Sequence, residues 1–270
     1  MKDLLFAELK SQNLNIVHSI SLIEQELFSV KADKIRDLKQ LVDALVIDSQ
    51  QQIESIDDAL DRAEKLLELL FVDNLLVDSE QTVWPLTSQL LETSIAFRSI
   101  APPLKSLLLL YIIRSCGFSC DAVFVPDEVM IRIVCDDDYA IIFNPIDGKP
   151  INWFELEQRI ENPESLEQSI SIETVSDQDL IAQHLMSLKT ALIREQQFEL
   201  ALKCTDIILG LRPEDPYQRK ERGALLQQLD CYKVAFDDYR YFVEKCPKDP
   251  SAKILQIQLE MIQHLDPVLH

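Results

Sequence analysis

Side chains suited to catalysis or metal binding are few in this 270-residue sequence, which contains six cysteines and four histidines. No two histidines lie near each other and no HExxH motif occurs, so we expect no metal site of the common zinc type. The cysteines lie largely within apolar helix or strand patterns, at Cys116, Cys120, Cys135, Cys204, Cys231 and Cys246. Such positions are typical of buried, reduced thiols, and they predict a cytoplasmic protein rather than a disulfide framework.

Glycine and aspartate patterns bear on two further kinds of site. The four glycines (Gly117, Gly148, Gly210 and Gly223) are widely separated. A phosphate-binding loop or a dinucleotide fingerprint needs two or three glycines within a few residues, so we expect no cofactor of either kind. The acidic triplet 136–138 is a weak candidate for a metal site, because carboxylates in a turn are usually solvated. We interpret it as a hairpin loop.

The charge of the chain disfavours two classes of partner. The formal net charge is −20 and the isoelectric point is near 4.5. A surface this acidic repels phosphate backbones and anionic lipids, so we expect neither nucleic acid nor membrane as a partner. The longest apolar run, residues 107–113, is far shorter than the roughly 18 residues of a membrane span, and the N-terminal residues lack a secretory signal pattern.

The last third of the chain contains a near-repeat with a period of 34 residues. The matching positions are Leu192, Phe198, Ala201, Ile208, Pro213, Asp215 and Pro216, followed by Leu226, Tyr232, Ala235, Phe242, Pro247, Asp249 and Pro250. This is the period of the tetratricopeptide repeat (TPR), a helix–turn–helix unit that buries its apolar face by stacking on neighbouring units. We therefore predict two TPR repeats and a capping helix over residues 176–270.

The periodicity of the remaining chain predicts an α+β protein that is mostly α-helical. Residues 1–95 carry three amphipathic helical stripes. Residues 96–170 begin with a helix that is apolar on all sides and continue with three short strand patterns separated by turns. These segments predict an N-terminal helical region and then a core with a small antiparallel sheet, followed by the C-terminal repeats.

Several stretches carry a family resemblance over nearly the whole chain. They are the segment that begins at Arg98, the strand pattern VFVPxxVMIRI, the element IIFNPIDGKP, and the repeat motifs LRPEDPY and VEKCPKDP. Together they resemble the bacterial family that joins a transglutaminase-like core to TPR repeats, the invasion-regulator B or YchA type. That family has no established activity.

The resemblance has a direct consequence for catalysis. Active transglutaminase-like enzymes use a cysteine nucleophile with a histidine base and an orienting aspartate. Carried onto this chain, these positions fall at Pro102, Glu128 and Asn144. None of them matches, and proline cannot act as a nucleophile. The resemblance therefore implies a degenerate transglutaminase-like core, a pseudoenzyme without catalytic residues.

An arginine within a strand pattern suggests a second kind of site. Strand alternation places Glu128, Met130 and Arg132 on one face. Arg132 needs an acceptor there, and we consider a structural pair with Glu128, Asp147 or a carbonyl. The alternative is an anion or peptide-carboxylate cleft formed by Arg98, Glu128, Arg132 and Asn144.

The first helix of each repeat should line a concave, partner-binding groove. By repeat position its residues are Gln183, Ser187, Thr190, Arg194, Tyr217, Lys220, Ala224 and Gln227. The run QRKER at 218–222 is the densest basic cluster of the chain, so we hypothesise that the groove binds an acidic segment of a protein partner. Alternatively, these cations balance Glu214, Glu221 and Asp237, or dock the repeats on the core.

The sequence thus predicts a non-catalytic cytoplasmic adaptor or regulator with a TPR groove beside a degenerate transglutaminase-like core. One alternative is a thiol-dependent hydrolase or acyltransferase that uses an unexpected cysteine. Another is a sensor of a small anionic ligand built on the face that carries Arg132.

Overall fold

The computed structural model describes residues 2–74, 76–78, 81–125, 128–136, 139–152, 154–156 and 172–265. The chain divides into two compact units, residues 1–184 and 185–270. The fold class agrees with the sequence prediction, because the described residues are mostly helical and contain one small antiparallel sheet. The three-part division at residues 95 and 170 stays a prediction.

Helices form most of the first unit. They are α1 Lys2–Leu9, α2 Ile16–Phe28, α3 Ala32–Ile53, α4 Ala59–Glu68, α5 Leu91–Phe97 and α6 Pro102–Ser115, with a π-helical turn Leu69–Asp73 and a 3₁₀ turn Leu86–Ser88. Two helix starts have side-chain caps: the Asn15 carboxamide accepts from the His18 amide, and the Asp58 carboxylate accepts from two amides of α4.

Helix α6 is the central helix of the first unit. Pro102 stands in its first turn, where the missing N–H has no intrahelical partner to lose. Its residues from Leu104 to Leu110 are all buried, so the prediction of a helix buried on all sides is confirmed. Gly117, at φ +90°, follows its end and leads into the first strand.

The sheet has four antiparallel strands in the order β3-β2-β1-β4. They are β1 Ser119–Val125, β2 Glu128–Val134, β3 Ala140–Phe143 and β4 Glu173–Val175. Three of these strands were expected; β4 was not, because its three residues form no periodic pattern. Residues 137–138 of the acidic triplet lie outside the described part, while the Asp136 carboxylate accepts from the Tyr139 amide at 2.7 Å, as in a turn.

The second unit contains the predicted helical repeats. Helix α7 Asp177–Arg194 contains the division between the units, and it is followed by α8 Phe198–Leu211, α9 Pro216–Gln228, α10 Tyr232–Lys245 and α11 Pro250–Leu265. The Asp-Pro pairs of the repeat start helices, because Asp215 and Asp249 accept hydrogen bonds from backbone amides of the first turn. The left-handed residues Gln196 and Asp230, 34 positions apart, occupy equivalent turns.

Close packing within the second unit follows the repeat pattern. Ala201, Ala235 and Phe242 are fully buried. Gly223 lets α9 approach α10, since a β-carbon there would lie 2.8 Å from the Tyr239 ring. In the described residues no single helix is long and apolar enough to cross a membrane; α5 and α6 satisfy length and composition only as a pair bent by 88°.

Candidate functional site

A cavity of about 390 Å³ lies in the first unit, between the start of α6, the sheet and the turn that follows β3. Its wall is mostly apolar and includes four polar side chains. The lining residues are Pro102, Pro103, Ser106, Phe124, Glu128, Val129, Asn144, Pro145, Ile146, Leu180 and Gln183. The cavity thus brings together Pro102, Glu128 and Asn144, the three positions that the resemblance aligns with a catalytic triad.

Hydrogen bonds determine how Asn144 faces the cavity. Its Oδ1 accepts from the Ile146 amide at 2.8 Å, as in an Asx turn. Its Nδ2 therefore points the other way and donates to Glu128 Oε2 at 2.9 Å. Gly148, at φ +75°, closes the turn and donates its amide to the Asn144 carbonyl at 2.9 Å. The NPIDG sequence thus positions an amide against a carboxylate.

A buried lysine supports this turn from behind. Lys105 Nζ donates to the Ile146 carbonyl at 2.7 Å and forms an ion pair with Asp78 Oδ2 at 2.8 Å. Burial lowers the pKa of Lys105, and the hydrogen bond and charge of Asp78 act in the opposite direction. Because both partners are almost fully buried, loss of either would leave the other charge uncompensated.

The described side chains at the start of α6 do not form the expected nucleophile position. Pro102 offers no nucleophile, and the Ser106 hydroxyl donates to the Pro102 carbonyl at 2.9 Å. Among the described residues that line the cavity, none carries a thiol or an imidazole. The Glu128–Asn144 pair can accept from and donate to a bound group.

Neither arginine of the predicted anion cleft lines this cavity. Arg132 donates from Nε and Nη2 to both Asp121 oxygens, at 3.0 and 2.6 Å, directly across the β1–β2 ladder. The expected pairing of Arg132 with Glu128, Asp147 or a carbonyl is wrong, because the strand register places Asp121 opposite it. Arg98 is exposed at the end of α5. Among the described lining residues the charged one is Glu128, an acid.

The predicted groove residues lie in different places. Gln183 belongs to the first unit and lines the cavity. Thr190 is exposed and donates to the Met186 carbonyl, and Arg194 is exposed at the end of α7. Tyr217 is about half exposed, with a side-chain contact to Lys220 in the same helix. Gln227 accepts from the Tyr239 hydroxyl at 2.9 Å.

The basic run 218–222 is largely engaged inside the second unit. Arg222 forms a bidentate pair with Asp238, both N···O distances being 2.6 Å, and Arg219 lies 3.4 Å from the same carboxylate. Asp238 is buried and was not among the acids that we considered as partners. Lys220 instead contacts aromatic rings: its Nζ lies 4.6 Å from the centre of the Phe242 ring.

Comparison with known proteins agrees with this architecture. A model of the transglutaminase-like superfamily matches residues 36–186, more than half of the chain, and a tetratricopeptide-repeat model matches residues 188–260. Protein SirB1 of Salmonella typhimurium is 30% identical over 233 residues, which are 85% of this chain and 86% of SirB1. The chain belongs to the UPF0162 family.

Two further relatives match over shorter stretches. A UPF0162 protein of Vibrio cholerae is 33% identical over 160 residues, and UPF0162 protein YchA of Escherichia coli is 35% identical over 151 residues. The matches cover 58% and 55% of this chain and span 59% and 56% of those relatives. No solved structure gives a significant match.

Four of the six thiols of this UPF0162 chain lie in environments that disfavour the thiolate. Burial raises the pKa of Cys116 to about 11 and that of Cys120 and Cys204 to about 12. Burial also raises the pKa of Cys135. His184 is fully buried with its pKa lowered to about 4 by burial, and the described residues give neither ring nitrogen a hydrogen-bond partner. A reactive thiol needs the opposite environment, an accessible site that stabilises the thiolate.

Sequence reasoning missed seven of the residues that line the cavity of this family member, most of them apolar. Phe124, Val129, Pro145 and Leu180 were not predicted as site residues, although they provide most of the apolar wall together with the prolines of α6. The strand alternation of β1 and β2 contained part of this signal. No sequence signal indicated that Leu180 lines the cavity, because the four strands of the sheet lie between α6 and α7 in the sequence.

Proposed function

We propose that this UPF0162 protein is a non-catalytic cytoplasmic adaptor or regulator, in which a TPR surface binds a protein partner beside a degenerate transglutaminase-like core. The observation that carries the proposal is the cavity itself, where Asn144 donates to Glu128 next to Pro102. By the resemblance, Glu128 and Asn144 occupy the positions of the base and the orienting residue, and a proline occupies the position of the nucleophile. Such an arrangement favours binding over covalent catalysis.

The repeats support the interaction part of the proposal. TPR units commonly present their first helices to other proteins, and this chain exposes Tyr217, Thr190 and Arg194 on those helices. We propose an acidic segment as the partner. Fewer cations support an acidic partner than the sequence indicated, because Arg219 and Arg222 are paired with Asp238. Lys220, half-buried between rings, and Arg194 are the cations that we assign to the partner.

Charge reversal tests the assignment. The double variant Arg194→Glu/Lys220→Glu reverses the charge of two predicted groove residues. Lys203→Glu/Lys233→Glu is the matched control, because it makes the same charge change at two exposed lysines of the second helices, α8 and α10. Affinity capture from a bacterial lysate with isotope-labelled quantification compares both with the unmodified protein.

We expect the control to capture as much of a specific partner as the unmodified protein does, and the groove variant to capture at least tenfold less. The helical circular dichroism of both variants should be unchanged. A partner that is retained equally by all three proteins would remove the groove from the proposal. A partner lost equally by both variants would indicate dependence on net charge and not on the groove.

A further inference from the structure

A second cavity, of about 160 Å³, lies in the first unit among α2, α3 and the start of α5. Its side walls are apolar and include Phe28, Ile35, Leu38 and Leu90. Glu24 also lines the cavity, and this residue is only 7% exposed. Buried carboxyl groups are rare unless paired, so this one calls for a physical explanation.

In the described part of the chain, one of the two Glu24 carboxyl oxygens has a hydrogen-bond donor. Glu24 Oε1 accepts from the Leu91 amide at 2.6 Å, across 67 positions of sequence. This contact caps the first turn of α5 from a neighbouring helix. Among the described residues, no cation and no second hydrogen-bond donor faces Glu24.

The remaining ionisable groups of the cavity stand at its mouth. Lys34 and Glu92 form an ion pair of 3.5 Å there, and both side chains are more than half exposed. With Glu24 ionised, the three groups sum to one negative charge. A cationic guest therefore restores neutrality, whereas an anion would be repelled by two carboxylates.

The size of the cavity limits the guest. An apolar cavity of about 150 Å³ holds a benzene molecule, which has six heavy atoms. A guest of about five heavy atoms fits this volume. Its apolar stem would match the apolar walls, and one cationic end would match the Glu24 carboxyl group. We propose that this cavity binds a primary alkylammonium group, whose stem contacts Phe28 and Leu38 and whose ammonium donates to Glu24.

The probe is n-butylammonium chloride, and 1-butanol and sodium butyrate are its neutral and anionic counterparts of similar size. Binding is measured by calorimetry at constant ionic strength. We expect saturable binding of butylammonium and at least tenfold weaker binding of the two counterparts. Glu24→Gln keeps the shape and an acceptor for the Leu91 amide, and should weaken binding at least tenfold. Glu26→Gln, in the same helix but outside the cavity lining, should not change it.

The pH dependence is a second readout. Burial raises the pKa of Glu24 to about 7, and the nearby Glu92 contributes. An alkylammonium stays protonated up to roughly pH 10, so only the carboxyl group changes charge between pH 6 and 8. The ionised fraction of Glu24 then rises from about one tenth to about nine tenths, and butylammonium affinity should rise about tenfold.

Two further arms complete the test. Ile35→Phe fills the cavity without removing a charge, and should abolish binding; this variant keeps the test decisive should Glu24→Gln fold poorly. Nα-acetyl-lysine methylamide distinguishes the sources of the group: binding as tight as that of butylammonium indicates a lysine side chain of a partner protein, and exclusion indicates a free amine. No saturable binding of either amine, or equal binding by Glu24→Gln, would overturn the proposal.

Discussion

Loss of Asp238 should destabilise the second unit markedly, because this buried carboxylate pairs with two arginines. The two repeats differ at three positions of this contact, each pair being separated by 34 residues. In the first repeat all three residues are buried and apolar, and in the second they form the ion cluster: Leu185 and Arg219, Leu188 and Arg222, Cys204 and Asp238. One carboxylate, only 1% exposed, thus serves two guanidinium groups. Asp238→Ala would leave both arginines without it.

The expected loss of unfolding free energy in Asp238→Ala follows from the burial of its carboxylate. Removal of one partner from a buried ion pair costs about 3–5 kcal/mol, because the remaining charge is uncompensated. Arg222 keeps a weaker contact to Asp206 at 3.4 Å and its side chain is 23% exposed, so the lower end of this range, about 3 kcal/mol, is expected. Replacing the whole cluster by the residues of the first repeat, as Arg219→Leu/Arg222→Leu/Asp238→Cys, removes the charges together. That variant should be neutral or more stable by about 1–4 kcal/mol.

Hydrogen exchange of the α10 amides measures this local stability even if the two units unfold separately. Asp237→Ala is the matched control: this neighbour is exposed and pairs with Arg240 at 3.2 Å, so its loss should cost less than about 1 kcal/mol. If Asp238→Ala costs no more than the control, or if the triple variant is as destabilised as Asp238→Ala, the account of a single shared carboxylate is refuted.

Three further predictions concern the rest of the molecule. His184 should destabilise the fold in acid: its folded pKa of about 4 lies below its unfolded value of 6.5, so the unfolded state binds the extra proton between these values and up to about 3 kcal/mol is lost as pH falls. The free energy of unfolding is compared between the unmodified protein and His184→Leu at each pH. This difference separates the effect of His184 from that of Glu24, whose raised pKa stabilises the fold as pH falls. A difference in unfolding free energy that is constant from pH 7 to 4 would contradict the prediction. Gly148→Ala should cost about 2 kcal/mol or more in thermal unfolding, because φ is +75° and the new β-carbon would lie 2.5 Å from the Phe71 ring; a loss below about 0.5 kcal/mol would show that Phe71 moves easily. Iodoacetamide at pH 7.5 should label the exposed Cys231 first and Cys120 and Cys204 only on unfolding, as peptide mass spectrometry measures; rapid labelling of a buried thiol would instead support the thiol-enzyme alternative.

Local signals explain which elements the sequence predicts well. The Asp-Pro pairs at 215–216 and 249–250 combine a side-chain cap with a residue suited to the first turn, and both mark real helix starts. Pro102 likewise marks the start of α6, although no side chain caps that helix. By contrast, β4 has three residues and lies beside β1, about fifty positions earlier, so its pairing depends on a distant strand and no local pattern marks it.

Charge pairing was predicted least well, for a related reason. Arg132 was expected to need an acceptor, and it has one, but the choice of Asp121 depends on the β1–β2 register. The sequence predicted a basic surface at Arg219 and Arg222, because the residues next to them do not show that they pair with the buried Asp238 of the following helix. Pairing is decided by which side chains the packed elements bring within about 3 Å.

Residue identities alone establish two properties of this protein: the 34-residue repeat with its helix starts, and the acidic net charge. These properties depend on composition or on contacts within one or two helical turns. The hydrogen bond from Asn144 to Glu128, the burial of Cys120 and Cys204 and the Glu24 cavity depend on the tertiary structure. They arise where distant segments exclude water around a polar group, and the free energy of such a group depends on every neighbour at once.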